Sequence, residues 1–184
     1  MKLMIASDIH GSAAYCEMMM KRMEEERPEK LLLLGDLLYH GPRNDLPERY
    51  EPKEVIGMLN GIKDRILCIR GNCDCDVDQM VLEFPIMADY AVLYLDGNEV
   101  YVTHGHIHNP KNPLPGMKGI LLCGHTHVPS IEKYDGFTYL NPGSVSIPKN
   151  GSRHSYMIYE EGTFFWKDLI TSETYMEFKT ESLR

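Results

Sequence analysis

The chain predicts an α/β (α+β) fold in which two packed β-sheets form a sandwich with helices on the outside. Three observations predict it. The first third alternates short apolar runs with helical patterns, as βαβ units do. The second half reads as a series of strands joined by hairpin turns. At 184 residues and 43% apolar content, the chain supplies a full core for one domain, expected to span 1–184.

Leu3 to Ala6 reads as a short buried strand ending at Asp8. Gly11-Ser12 caps a helix on which Ala13, Cys16, Met20 and Met23 fall at helical spacing, and Pro28 stops it. Leu31 to Leu34 is an all-apolar run ending in Gly35-Asp36, the pattern of a strand buried on both faces. Tyr39 to Glu51, rich in Pro, Gly, Asn and charge, reads as a long loop. Pro52 opens a second helix with Val55, Ile56, Leu59 and Ile62 on its apolar side. Arg65 to Ile69 is a third strand and ends at Gly71-Asn72.

Strands are then expected at Tyr90 to Leu95, Glu99 to Thr103, Ile120 to Cys123, Ile131 to Tyr134, Phe137 to Leu140, Ser155 to Glu160 and Thr163 to Leu169. Asp96-Gly97, Asp135-Gly136 and Glu161-Gly162 are hairpin signals. Only Pro113 to Lys118 leaves room for a brief helical turn. Phe164-Phe165-Trp166 is expected to pack within the sheet.

The bulk properties narrow the function. With 19 Lys and Arg against 27 Asp and Glu, the net charge is −8, so duplex nucleic acid is not an expected partner. A phosphorylated substrate stays open, because bound dications invert the charge of a site. No run approaches the length of a membrane span, and the first eight residues are too short and too soon acidic for a signal peptide. The five cysteines are odd in number and form no regular framework, which predicts a reduced, cytoplasmic protein.

Polar residues gather where strands end. Asp8-Ile9-His10, Gly35-Asp36, Gly71-Asn72-Cys73-Asp74, Thr103-His104-Gly105 and Gly124-His125-Thr126-His127 each follow an apolar run. Crevices outside the carboxyl ends of strands are where such sheets hold ligands. Asp8 and His10, two apart, would face one side if the chain stayed extended. His104 stands nearest its strand end and is taken as the ligand, and His106 is kept as a candidate to support a ligand from behind or to contact substrate. Mixed imidazole and carboxylate donors suit Mn, Fe, Co, Ni or Zn rather than Ca. No Cys-x-x-Cys pair points to a structural zinc ribbon.

The ordered set Asp8-x-His10, Gly35-Asp36, Gly71-Asn72, His104 and Gly124-His125-x-His127 resembles the calcineurin-like metallophosphoesterases. The likeness runs from Met1 to about residue 150. The small size, Gly-Asn-Cys-Asp and Asn141-Pro142-Gly143-Ser144 make it similar to the YfcE-type small bacterial phosphodiesterases. The resemblance implies a four-layer αββα metallophosphoesterase fold, a two-sheet β-sandwich flanked by helices. It implies two divalent metal ions, manganese first, with Fe, Ni, Co and Zn as alternatives. Asp8, His10 and His127 would bind one metal with Asp36; Asn72, His104 and His125 would bind the second, with Asp36 bridging. A metal-bridging hydroxide would attack a small phosphodiester, and Asp36, Asn72, Cys73 and His104 are the residues expected to act in catalysis. Phosphomonoester hydrolysis is the nearest alternative, and a protein-binding scaffold, the role of a retromer subunit with this fold, is the alternative from another class. Relatives suggest a homo-oligomer, a dimer in the simplest case, although no residue demands one.

Cys73 departs from the pattern. Many relatives carry His where this chain has Cys73, placed to contact the phosphate and assist the leaving group. A thiol brings no positive charge and is a weak donor. His106, Asp74 or water are the other candidates for protonation. On the long loop, Arg43 is placed to meet a substrate phosphate, with His40 beside it. Asn141 to Ser144 reads as a tight turn serving the backbone near the metals.

Overall fold

A computed structural model describes residues 1–180. In chain order its elements are β1 (Leu3–Ala6), α1 (Ala13–Glu26), β2 (Lys30–Leu33), α2 (Pro52–Asn60), β3 (Ile66–Cys68) and α3 (Asp76–Val81). Then come β4 (Tyr90–Leu95), β5 (Asn98–Thr103), β6 (Gly119–Leu122), β7 (Ser130–Tyr134), β8 (Phe137–Asn141), β9 (Ser155–Glu160), β10 (Thr163–Asp168) and β11 (Thr174–Lys179). Six strands form one sheet in the order β11-β10-β9-β1-β2-β3, and five form a second in the order β4-β5-β6-β8-β7. β1, β2 and β3 run parallel, and so do β5, β6 and β8. The carboxyl ends of two parallel sets therefore carry all five polar segments.

The period-two rule of strands decides which core each side chain joins. Leu3 and Ile5 of β1, with Leu32 of β2, pack between the sheets against Val100, Val102, Ile120, Leu122 and Leu140. Met4 and Ala6, with Leu31 and Leu33, turn the other way and pack against Ala13, Cys16, Met19, Val55 and Leu59 of the helices. A strand with both faces covered needs an unbroken apolar run, which β1 and β2 supply. Phe164 and Trp166 are fully buried in the inter-sheet core.

Local signals account for the ends. Ser12 caps α1, its Oγ accepting from the Tyr15 N–H at 3.4 Å. Pro52 stands at the start of α2. Asp96-Gly97 and Glu161-Gly162 both take positive φ at both residues, the type I′ geometry that matches strand twist.

Four details depart from the sequence expectation. The buried face of α1 uses Met19, with Met20 only half-covered. Residues 113–118 form an irregular turn, closed by Met117 N–H on Leu114 O at 3.2 Å, without a helix. Leu114 and Met117 from that stretch cover Leu121, Cys123 and Tyr139 on the outer face of the second sheet. The helix α3 and the strand β11 were not foreseen: α3 buries no residue, and β11 is a partly exposed edge strand with Glu177 and Lys179 in it. Neither offers an apolar stripe to read.

Candidate metal centre

Backbone geometry, more than strand alternation, brings the polar residues together. Asp8, His10, Asp36, His125 and His127 all take left-handed φ, between 49° and 68°. That region is uncommon for residues with a Cβ, and such residues gather at functional sites where surrounding structure enforces them. The extended Asp8–His10 geometry expected from sequence is therefore replaced by a turn. It is pinned by Asp8 N–H on Gly35 O (3.1 Å), His10 N–H on Asp36 O (2.9 Å) and Gly11 N–H on Leu37 O (2.9 Å).

The side chains converge. Nε2 of His10 lies 3.2 Å from Nε2 of His127, 3.5 Å from Asp8 Oδ1 and 3.6 Å from Asp36 Oδ2. Nε2 of His127 lies 3.2 Å from Asp8 Oδ1. Nε2 of His104 is 3.5 Å from Asp36 Oδ2 and 3.1 Å from Asn72 Oδ1. Asp8, His10, Asp36, His104 and His127 are all buried. His125, half-buried, is the looser member: its ring centre is 5.0 Å from that of His104, and it lines the same cavity of about 50 Å³.

The backbone chooses which ring nitrogen faces the centre. His10 Nδ1 donates to Tyr39 O (2.7 Å), His104 Nδ1 to Leu34 O (2.6 Å) and His127 Nδ1 to Ile147 O (2.6 Å). Nε2 is left for the centre in each case, the outer-shell arrangement of metal-binding histidines. Asp8 Oδ2 accepts from Ser7 Oγ (2.6 Å) and from the His125 N–H (3.0 Å), whereas Oδ1 is buried without a hydrogen bond. A buried carboxylate oxygen with no partner, facing imidazole nitrogens, is what a cation site presents. Asp8 with His10 and His127, Asp36 with Asp8 and His104, and Asp36 with His10 and Cys73 each bring their ligand atoms within 4.8 Å. The residues present fit divalent cations.

Glycines make the approach feasible. A Cβ on Gly71 would stand 2.1 Å from Asp36 Oδ1, and one on Gly124 would stand 2.0 Å from Ser7 Oγ. Behind the site, Ser144 and Ser146 donate through Oγ to Asp8 O at 2.8 and 3.0 Å, and Asn141 Nδ2 donates to Gly124 O at 2.7 Å. The Asn141–Ser144 turn is thus a buttress for the backbone, as its composition suggests.

Two expected candidates have other work. Asp74, buried, accepts from three backbone N–H groups: Asp36 (2.8 Å), Leu37 (2.9 Å) and Gly71 (2.8 Å). It ties the loop after β2 to the loop after β3, so it positions Asp36 and is not placed to protonate a leaving group. The His40 ring lies edge-on to Tyr39 and Tyr50, outside the cavity lining, which Arg43 does join. Lys149 also lines the cavity and was missed; nothing in its sequence neighbourhood links it to the site.

Electrostatics follow from the geometry. Burial pulls the Asp8 carboxyl up, but the close His10, His127 and His104 imidazoles outweigh it and hold Asp8 well below the usual range. Burial opposes charge on His104, and the neighbouring Asp36 and Asp8 carboxylates overcome it, pushing His104 up to about 9. An imidazole with a folded pKa above the ordinary 6.5 stabilises the fold fully below pH 6.5, and that contribution fades as pH rises through about 9. Metal-stripped protein is therefore expected to lose melting temperature from pH 6.5 to 9. Protein loaded with a divalent cation should lack this slope where the cation takes the His104 Nε2, since an imidazole that binds a cation is neutral. Scanning fluorimetry across that range checks it; a flat metal-free profile would show that the His104–carboxylate contacts do not act this way.

A larger cavity of about 390 Å³ opens at the opposite ends of the strands, lined by Asn98, Lys118, Lys133, Tyr134, Phe137 and Phe178 among others. It has no carboxylate or imidazole in its lining and so lacks the donors that the first site gathers.

Residues 1–163 match the calcineurin-like phosphoesterase superfamily domain. The chain belongs to this superfamily. Phosphodiesterase YfcE of Escherichia coli (strain K12) is 45% identical to this member over 157 residues, 85% of each chain. The solved structure of YfcE, a phosphoesterase from E. coli, superposes with a TM-score of 0.94 at 39% identity, covering 98% of this chain and 100% of that one. Vacuolar Protein Sorting 29 from Cryptosporidium parvum shares the fold alone, with a TM-score of 0.63 at 18% identity over 97% of this chain and 98% of that one. Within the superfamily fold, all five polar segments of this member stand at one edge. No helix among the described residues is long and apolar enough to cross a membrane.

Proposed function

We propose that this calcineurin-like phosphoesterase is a phosphodiesterase that hydrolyses a small phosphodiester at a centre for two divalent cations, manganese first. The observation that carries the reading is the convergence of three Nε2 atoms and two buried carboxylates, one with an oxygen lacking any hydrogen bond. Similarity to YfcE, named a phosphodiesterase, supports the choice of diester. Asp8, His10 and His127 would hold one cation, and Asn72, His104 and His125 the other. Asp36, facing both His10 and His104, would be shared. Such ions supply Lewis-acid activation of phosphoryl oxygen and a nucleophile from water at neutral pH.

The chain's own residues set what leaves easily. Cys73 donates its backbone N–H to Asp36 Oδ1 at 2.8 Å and lines the cavity with its side chain. Burial, with the Asp36 charge beside it, pushes the thiol up to about 12, so it stays a weak S–H donor. His106 is pulled down to about 4 by burial and by His104 and His125, which keeps it neutral. Neither offers a strong general acid, a contribution worth about 10²–10⁴-fold where present. Aryl diesters should therefore be cleaved better than alkyl diesters. Cys73→His should raise turnover of alkyl diesters most; lower turnover on every diester would show that the position does not serve the leaving group. Five unpaired cysteines accord with a reduced, cytoplasmic setting.

The test is hydrolysis of bis-p-nitrophenyl phosphate beside p-nitrophenyl phosphate by protein stripped of metal and then given manganese. Manganese-dependent cleavage favouring the diester is the expected result. Preference for the monoester would make the protein a phosphatase. No cleavage together with no manganese-induced rise in melting temperature would favour a scaffold, because a bound ion stabilises the folded state.

A further inference from the structure

Two cations stand at the mouth of the cleft. Arg43 and Lys149 line the same cavity as His10, Asp36, Cys73 and His127, and they arrive on loops far apart in sequence. Each loop is held in shape beside the centre by hydrogen bonds to its backbone. The Arg43 loop is closed by Asn44 N–H on Gly41 O (3.3 Å) and by Asn44 Nδ2 on His40 O (2.8 Å). Its Gly41 packs so near Cys73 that an added Cβ would be 3.3 Å from Sγ. On the other side, Lys149 N–H donates to His127 O at 3.3 Å, and Ser152 Oγ donates to Lys149 O at 2.7 Å.

Both side chains are exposed, and among the described residues neither makes an ion pair or hydrogen bond. In this chain of net charge −8, Arg22, Arg49, Arg70 and Arg153 each sit against a carboxylate; Lys53, Lys111 and Lys133 are as free as Lys149, and it is the place of Arg43 and Lys149 on the cavity beside the candidate ligands that sets these two apart. The scissile group of a diester carries one negative charge, and the cations of the centre would meet it. Arg43 and Lys149 add positive charge beyond that need, one as a planar fork and one as a point charge. We infer that they bind a second anionic group, a phosphate or carboxylate, on one ester arm of the substrate. The substrate class is then a phosphodiester with at least two anionic groups. This rests on the phosphodiesterase reading of the centre.

A matched pair of probes isolates that group: the p-nitrophenyl ester of thymidine 5′-monophosphate, and the same ester bearing a 3′-phosphate. With manganese-loaded protein, kcat/KM should be about tenfold higher for the 3′-phosphorylated ester, through KM, the scale of a charge-assisted contact. The preference should fade as salt is raised. In an Arg43→Gln, Lys149→Gln double variant the ratio of the two values should fall to about one, and Arg43→Lys should keep part of it. Calorimetry with thymidine 3′,5′-bisphosphate and thymidine 5′-monophosphate should show the same difference and lose it in the double variant. Equal binding of the two nucleotides by the wild-type protein overturns the inference whatever the turnover. So does a preference that survives in the double variant. No hydrolysis of either ester, with the difference in nucleotide binding intact, would sink the phosphodiesterase reading and leave the anion site standing.

Discussion

Replacing Asp36 with asparagine is expected to lower manganese-dependent hydrolysis of bis-p-nitrophenyl phosphate by more than about 100-fold, the upper loss seen when residues one step further from a metal are changed. Asparagine keeps the size of the side chain and an oxygen able to accept the Cys73 N–H, which now bonds Asp36 Oδ1 at 2.8 Å. What disappears is the charge that Oδ2 presents to His10 at 3.6 Å and His104 at 3.5 Å. The rise in melting temperature on adding manganese should shrink in the same variant, because cation affinity falls with the carboxylate. Full activity in Asp36→Asn, at saturating manganese, would remove Asp36 from the shared position assigned to it.

The second large effect is on stability. Asp74→Ala leaves three buried backbone N–H groups, those of Asp36, Leu37 and Gly71, without their acceptor. At about 1–3 kcal/mol for each buried donor left unpaired, the loss is on the order of 3 kcal/mol or more. For a chain of this size that is a fall in melting temperature of about 10 °C. Activity should fall too, since the Asp36 backbone is no longer tied to the Gly71 loop. Asp74→Asn retains one acceptor oxygen and should recover part of both. Asp74→Ala with an unchanged melting temperature would mean that water or a shifted loop meets those donors, and the clamp would not be needed.

Much of this was legible from the chain because the signals were local. An unbroken apolar run such as Leu31–Leu34 has few homes other than a strand covered on both faces, and the Asp-Gly and Glu-Gly pairs mark hairpins by their own backbone preferences. The donors at five strand exits were visible for the same reason, since each stands next to the run that positions it. Asp74 was harder. Its three donors come from its own loop and from one 37 to 38 residues earlier, so in sequence it is one polar residue among several. Lys149 was invisible as part of the site, because only the packing of its loop on His127 brings it there. The left-handed turns at Asp8 and His10 could not be read from spacing; tertiary hydrogen bonds to Gly35 and Asp36 impose them. The face of α1 shifted from Met20 to Met19 because two methionines side by side satisfy the same periodic pattern.

The locking of His10, His104 and His127 onto backbone carbonyls has a consequence for the history of any sample. Each ring is oriented through its Nδ1 by a main-chain carbonyl, so the fold itself aims its Nε2 at the centre. With donors of this mixed kind already aimed, the divalent cation found in freshly isolated protein is expected to follow the supply in its surroundings, which metal analysis of protein grown in media of different metal content checks.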